Sequence, residues 1–201
     1  MKRIALPALV LVGAFTLGAC TDSPMDPVPA SFAVDLPSEN RSAAAVRGAP
    51  APGTESIAAI AIAAGFDELV GALFYVDAEL GAGLVDLFLN GRDQYTVFAP
   101  TNEAFEELYS LLGIVEITDL PAELVLDVLL YHVVEGRRAA NSVVPPVRPR
   151  TITTLLGATF TVDRNGVITD LFGQEVNIVA ANISASNGII HVIDTVLLPL
   201  G

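Results

Sequence analysis

The feature that most constrains this chain is an apolar strand that must stop at a proline and hand over at once to a capped helix. In Tyr95–Phe105 (YTVFAPTNEAF) the strand reading covers Tyr95–Phe98. Ala99-Pro100 ends it, because Pro100 has no N–H for a ladder. Thr101 can then cap a helix, and Glu103 falls in the first turn, where the dipole favours a carboxylate. Phe105, Leu108 and Leu112 space a buried face on that helix. A second segment, Asn187–Pro199 (NGIIHVIDTVLLP), sets an Asn-Gly turn before another apolar strand.

Ahead of these segments the chain reads as short helices punctuated by glycine. Thr54 or Ser56 can cap a helix through Ile57, Ile60 and Ala64, with Gly65 ending it. Asp67 can cap a second, with Leu69, Val70, Leu73 and Phe74 on one side. A third covers Leu84 to Leu89. Pro121 suits the first turn of a later helix that is apolar nearly all round, running through Val133 and closed by Gly136. The remainder reads as strands: Thr159–Val162 and Val167–Thr169 around the Asp163–Gly166 turn, then Val176–Ala180 and Ile189–Ile193. Helices first and strands later predict an α+β fold.

The N-terminus carries targeting rather than fold. Lys2 and Arg3 precede an apolar run from Ile4 to Ala19, shorter than the ~20 residues that span a bilayer. Leu17–Cys20 (LGAC) resembles a bacterial lipobox, which implies lipid on Cys20, and the Thr21 that follows resembles an outer-membrane address. Three regions result: a signal peptide at 1–19, Cys20 with a Pro/Ala/Ser-rich tether at 20–53, and a folded domain at 54–201. A flexible tether of this length spans roughly 30 Å. Cys20 is the only cysteine, so the fold uses no internal disulfide. Without residues 1–19 the chain has 8 basic and 23 acidic residues, a net charge of −15. Phosphates need a basic footprint, so this balance argues against nucleic acid and against electrostatic docking on anionic lipid.

Catalytic parts are few. No serine sits in a nucleophile elbow, and no phosphate-cradling glycine loop or paired-histidine zinc motif is present. His132 sits on an apolar helix and His191 alternates with Ile190 and Val192 in a strand, so both read as hydrogen-bonded structural histidines. A hydrolase would need one of them beside a nucleophile. No catalytic, metal or cofactor residue is assigned.

Three landmarks in order resemble the fasciclin (FAS1) domain family over about residues 54–200: Thr96–Phe105, Tyr131-His132, and Asn187–Asp194 with Leu197-Leu198-Pro199. The resemblance implies a β-wedge of about seven strands with a packed layer of several short helices. It also implies an adhesion or interaction module without enzymatic activity. Thr96, Phe98, Pro100, Thr101, Asn102, Phe105, Asn187, Gly188, His191 and Asp194 are expected to serve mainly as joints of the fold. Asn187-Gly188 is expected to supply backbone freedom, and Thr101, Asn102 and His132 to bond to one another. Two surfaces carry adhesion in animal members. One is matched by Tyr131, His132 and Val133; the other, an Asp-Ile pair, is Asn182-Ile183 here and lacks the acid.

Arg137, Arg138, Arg148 and Arg150 cluster in a proline-bearing loop, Gly136–Arg150, of an otherwise acidic chain. Guanidinium forks suit carboxylates, phosphates and sulfates, so two readings stand: a solvated loop balancing nearby carboxylates, or a grip on an anionic cell-surface polysaccharide. The expected partner is thus a cell-surface or matrix protein or such a polysaccharide, with the membrane reached through lipid alone. The alternative is an envelope or stress protein that binds a small molecule in an apolar cleft.

Overall fold

The computed structural model describes residues 52–199. The signal peptide, Cys20 and the tether as far as residue 51 lie outside the described residues.

Three short helices come first: α1 (Ile57–Ala63), α2 (Asp67–Leu80) and α3 (Leu84–Asn90). Ser56 caps α1, its hydroxyl accepting from the Ala59 amide at 3.3 Å. Asp67 does not cap α2; Phe66 holds the cap position with no side-chain bond. The Glu68 amide goes instead to Asn102 Oδ1 at 3.3 Å, and Asp67 serves the first turn by charge. The α3 amides of Leu84 and Val85 each donate to the Asp77 carboxylate at 2.8 Å, because Gly83 supplies no side-chain cap.

Strand β1 (Tyr95–Pro100) hands over to α4 (Asn102–Leu112) through Thr101, whose hydroxyl accepts from the Ala104 amide at 3.3 Å. β1 runs through Pro100 rather than stopping at Phe98. Its parallel register with β7 (Gly188–Ile193) takes Pro100 opposite Ile193, as the terminal residue of the strand. A 3₁₀ turn (Ile117–Asp119) leads to α5 (Ala122–Tyr131). This helix ends earlier than its periodicity predicts: His132 caps it, and Val133–Glu135 form strand β2. The cause is tertiary. Phe98 N–H claims the His132 carbonyl at 2.9 Å, and Val133 and Val134 pair with β1 in antiparallel register.

The expected loop Gly136–Arg150 holds a short helix, α6 (Ala140–Val143), and reaches the first residue of β3 (Arg150–Thr153). β4 (Thr159–Val162) and β5 (Val167–Thr169) form the expected hairpin on Asp163–Gly166. β6 spans Glu175–Ala185, well beyond the predicted Ala180.

The seven strands make one sheet in the order β2-β1-β7-β6-β5-β4-β3. Only β1 and β7 are parallel; every other pair is antiparallel. Two hydrophobic cores follow from the period of two along β1. Val97 and Ala99 join the core beneath the helices, whereas Phe98 joins a second core on the other face. That second core draws on every strand: Phe98, Val134, Ile152, Phe160, Ile168, Val176 and Ile193. One cluster reached from all seven strands requires a sheet that curves around it. Register shifts in β6 on either side of Ala180, and Asn182 at φ +64°, provide local bending. The α+β class, with seven strands and a layer of short helices, is as the sequence predicts.

Candidate functional site

The last segment of the described chain is held by two buried polar side chains. His132 Nδ1 lies 2.7 Å from the Val128 carbonyl, to which it donates, so Nε2 is the acceptor for the Leu197 amide at 3.0 Å. The adjacent Leu198 amide donates to Asp170 Oδ2 at 2.9 Å. Asp170 also closes its own turn, accepting from the Gln174 amide and side chain at 2.8 and 2.9 Å. Burial pulls the His132 pKa down to about 4, opposed by its bond to Val128 and the charge of Asp170. Nothing in the motif reading singled out Asp170. A signal existed: Asp170–Gly173 repeats the Asp-x-x-Gly form of the Asp163–Gly166 turn.

His191 is fully buried in β7 with both ring nitrogens engaged. Nε2 is 2.9 Å from the Arg138 carbonyl, and Nδ1 takes the Asn182 amide at 3.4 Å. Burial lowers its pKa as well. Neither histidine therefore has a nitrogen left to act as a base.

Each landmark residue ties a different pair of elements. Thr101, Asn102 and His132 do not bond to one another as expected, because each reaches a separate backbone. Asn102 accepts from Glu68 and donates to the Gly65 carbonyl at 2.9 Å, pinning α4 to α2. The Thr96 hydroxyl donates to the Gly136 carbonyl at 2.7 Å and accepts from the Arg138 amide at 2.8 Å. Asn187 takes the Ile57 amide at 2.8 Å and donates to the Phe88 carbonyl at 2.9 Å, joining α1 and α3 to the β6–β7 turn. Gly188 is needed for space rather than for left-handed backbone: a Cβ there would lie 2.1 Å from the Tyr95 carbonyl oxygen. Asp194 accepts from the backbone and side chain of Asn177 at 2.8 and 2.9 Å. Phe98 packs edge-on to Phe160, 5.1 Å between centroids. Phe105 is buried in the core beneath the helices, and Pro100 is buried at the end of β1.

The candidate binding residues divide sharply. Tyr131, His132 and Val133 are 0, 2 and 4% exposed, so no partner reaches them without opening the core. Tyr131 donates to the Thr159 carbonyl at 2.9 Å, and burial lifts its phenol to about 12. Arg137 is built into the fold: it donates to the Ala185 and Gly188 carbonyls at 2.9 and 2.6 Å and to Gln94 and Ser184. Arg150 donates to the Ser142 carbonyl, a neighbour across the connection that α6 occupies. The four arginines are thus not one anion grip. Arg148 is exposed, and Arg138 is half-buried with Nε on the Glu135 carbonyl at 3.3 Å. Asn182 is exposed and accepts the Ala140 amide at 2.8 Å, while Ile183 is half-buried against the helical core.

One concavity among the described residues has an almost wholly apolar wall. A cleft of about 110 Å³ lies between α2, α4, the 3₁₀ turn and α5, with His132 and Leu198 also on its wall. A smaller one of about 30 Å³ shares Leu69, Leu129 and His132 with it. Sequence periodicity missed this gap because it assigns Leu112 to a buried face; Leu112 lines the cleft yet is 46% exposed. Phe74, likewise assigned inward, is 54% exposed. No helix among the described residues is long and apolar enough to cross a membrane.

Comparison with known proteins matches residues 74–199 to the Fasciclin domain family. Protein sll1483 of Synechocystis sp. is 36% identical over 127 residues, covering 62% of this chain and 65% of that protein. Cell surface glycolipoprotein MPB83 of Mycobacterium bovis is 36% identical over 116 residues, 58% of this chain and 48% of its own. Immunogenic protein MPB70 of the same species gives 36% over 116 residues, 58% and 54%. The chain therefore spans about half to two thirds of the length of these curated relatives. A FAS1 domain pair from the insect cell adhesion molecule Fasciclin I shares 23% identity over 65% of this chain and 45% of that one, with a TM-score of 0.45. The family match runs from within α2 to the clamped Leu197-Leu198-Pro199 end, and on it this chain belongs to the fasciclin domain family.

Proposed function

We propose that this chain is an adhesion or interaction module of a bacterial cell envelope. In this reading lipid on Cys20 holds it to the outer membrane, and the tether presents the domain to a surface protein or an anionic polysaccharide. The observation that carries the reading is family membership over residues 74–199, together with a relative named as a cell surface glycolipoprotein. The landmark residues support it as scaffold: they are spent on internal bonds, which leaves recognition to the surface. Of the four loop arginines, the exposed Arg148 and the half-buried Arg138 are accessible to an anionic glycan; Arg92 and Arg164 are exposed elsewhere on the domain.

The test is binding of the purified protein to whole cells, matrix proteins and a panel of neutral and acidic polysaccharides. Saturable binding to at least one surface is expected. If acidic glycans are the ligand, the Arg138→Ala, Arg148→Ala double variant should bind them at least about tenfold more weakly at low salt. Undiminished binding by that variant would reject the loop arginines as the glycan contact; binding to no acidic glycan, with binding to a protein surface, would reject the glycan version. No binding to any surface would reject the adhesion reading itself.

A further inference from the structure

The apolar cleft between α2, α4 and α5 is not used by the reading above. Its wall is built from Leu69, Leu108, Leu112, Ile117, Leu124 and Val128, among others. The one polar side chain on the wall, His132, has both nitrogens bonded to backbone and offers nothing to a ligand. A polar guest would lose its water and gain no partner, so the cleft selects hydrocarbon. Its size sets the guest's extent. An apolar cavity of about 150 Å³ stays dry and takes benzene, so 110 Å³ suits the last few carbons of a chain. Leu112 is both wall and surface, so the cleft reaches solvent at the end of α4, and Val115 just beyond is 86% exposed.

Charge restricts the head group. The elements framing the cleft carry exposed Glu106 and Glu107 on α4, Glu116 and Asp119 at the 3₁₀ turn, and Glu123 and Asp127 on α5. None of α2, α4, the 3₁₀ turn or α5 contains a lysine or arginine. A carboxylate or phosphate at the mouth would meet uncompensated negative potential. We propose that this cleft binds the chain end of an aliphatic amphiphile whose head group carries no negative charge.

The test uses 1-hexanol and hexanoate as probes of equal chain length, added to the purified protein with labelled leucine and valine methyls. Hexanol should give saturable shifts and intermolecular contacts at the Leu124 and Val128 methyls. Hexanoate at pH 7 and low salt should bind at least about tenfold more weakly. Val128→Phe and, separately, Leu124→Phe fill the cleft. Each variant that keeps the wild-type unfolding midpoint should lose hexanol binding by about tenfold or more. The proposal is overturned if hexanol leaves these methyls unmoved, or if it binds equally well after both fillings. It is equally overturned if hexanoate matches hexanol.

Discussion

At the scale of single residues, the chain spends its unusual side chains on backbone. His132 is the sharpest case, because its ring is an acceptor for Leu197 only while neutral. Its pKa falls from 6.5 to about 4 on burial. Between those values the unfolded chain holds more protons than the folded one, so stability rises with pH there. The contribution is complete above about 6.5 and is lost as pH drops toward 4, by on the order of 3 kcal/mol. His191, lowered in the same direction, adds to the slope. Urea unfolding at a series of pH values should show that His132→Gln flattens this window relative to wild type, whatever its stability at neutral pH. An unchanged slope would reject the assignment. Gly188 shows what one sequence can conceal. Asn187-Gly188 reads as a flexible turn, but the requirement lies across the sheet at Tyr95, and no local pattern reports a carbonyl 93 residues earlier.

At the scale of elements, local chemistry was legible where cap and helix are neighbours in sequence. Ser56, Thr101 and the Asp163–Gly166 hairpin all lie within a few residues of what they satisfy. Caps supplied from elsewhere were not legible. Asp77, inside α2, takes two amides of α3, and Asn102 takes one of α2. Asp77→Ala should therefore destabilise the fold by about 1–2 kcal/mol, read as a lower midpoint in denaturant, with the loss greatest in amide protection of α3. Protection lost evenly across the domain would argue against a cap confined to α3. The end of α5 follows the same logic. Its apolar period continues through Val133, but pairing with β1 turns Val133 and Val134 into strand. Propensity is a weak prior, and pairing with a neighbouring strand overrides it.

At the scale of the whole molecule, two cores on opposite faces of β1 and β7 explain why both strands are buried almost throughout. The helical core is incompletely filled, and the cleft is the result. If Cys20 is lipidated, Cys20→Ser should move the protein from the membrane fraction to the soluble fraction while unfolding of the domain is unchanged. Retention of the variant in membranes would reject the lipid tether.

The sequence by itself determined the α+β class, the strand–proline–helix joint and the hairpin, because each is written in residues that act on near neighbours; the family was legible because its landmark residues stand in contiguous runs, although they bind distant backbone. The tertiary structure alone decided that Tyr131, His132 and Val133 face inward, that Arg137 and Arg150 serve carbonyls rather than a ligand, and that α5 borders a void. Those outcomes depend on which distant groups meet across a curved sheet. Such meetings balance burial, hydrogen bonding and packing over the whole chain, and no local period or motif encodes that balance.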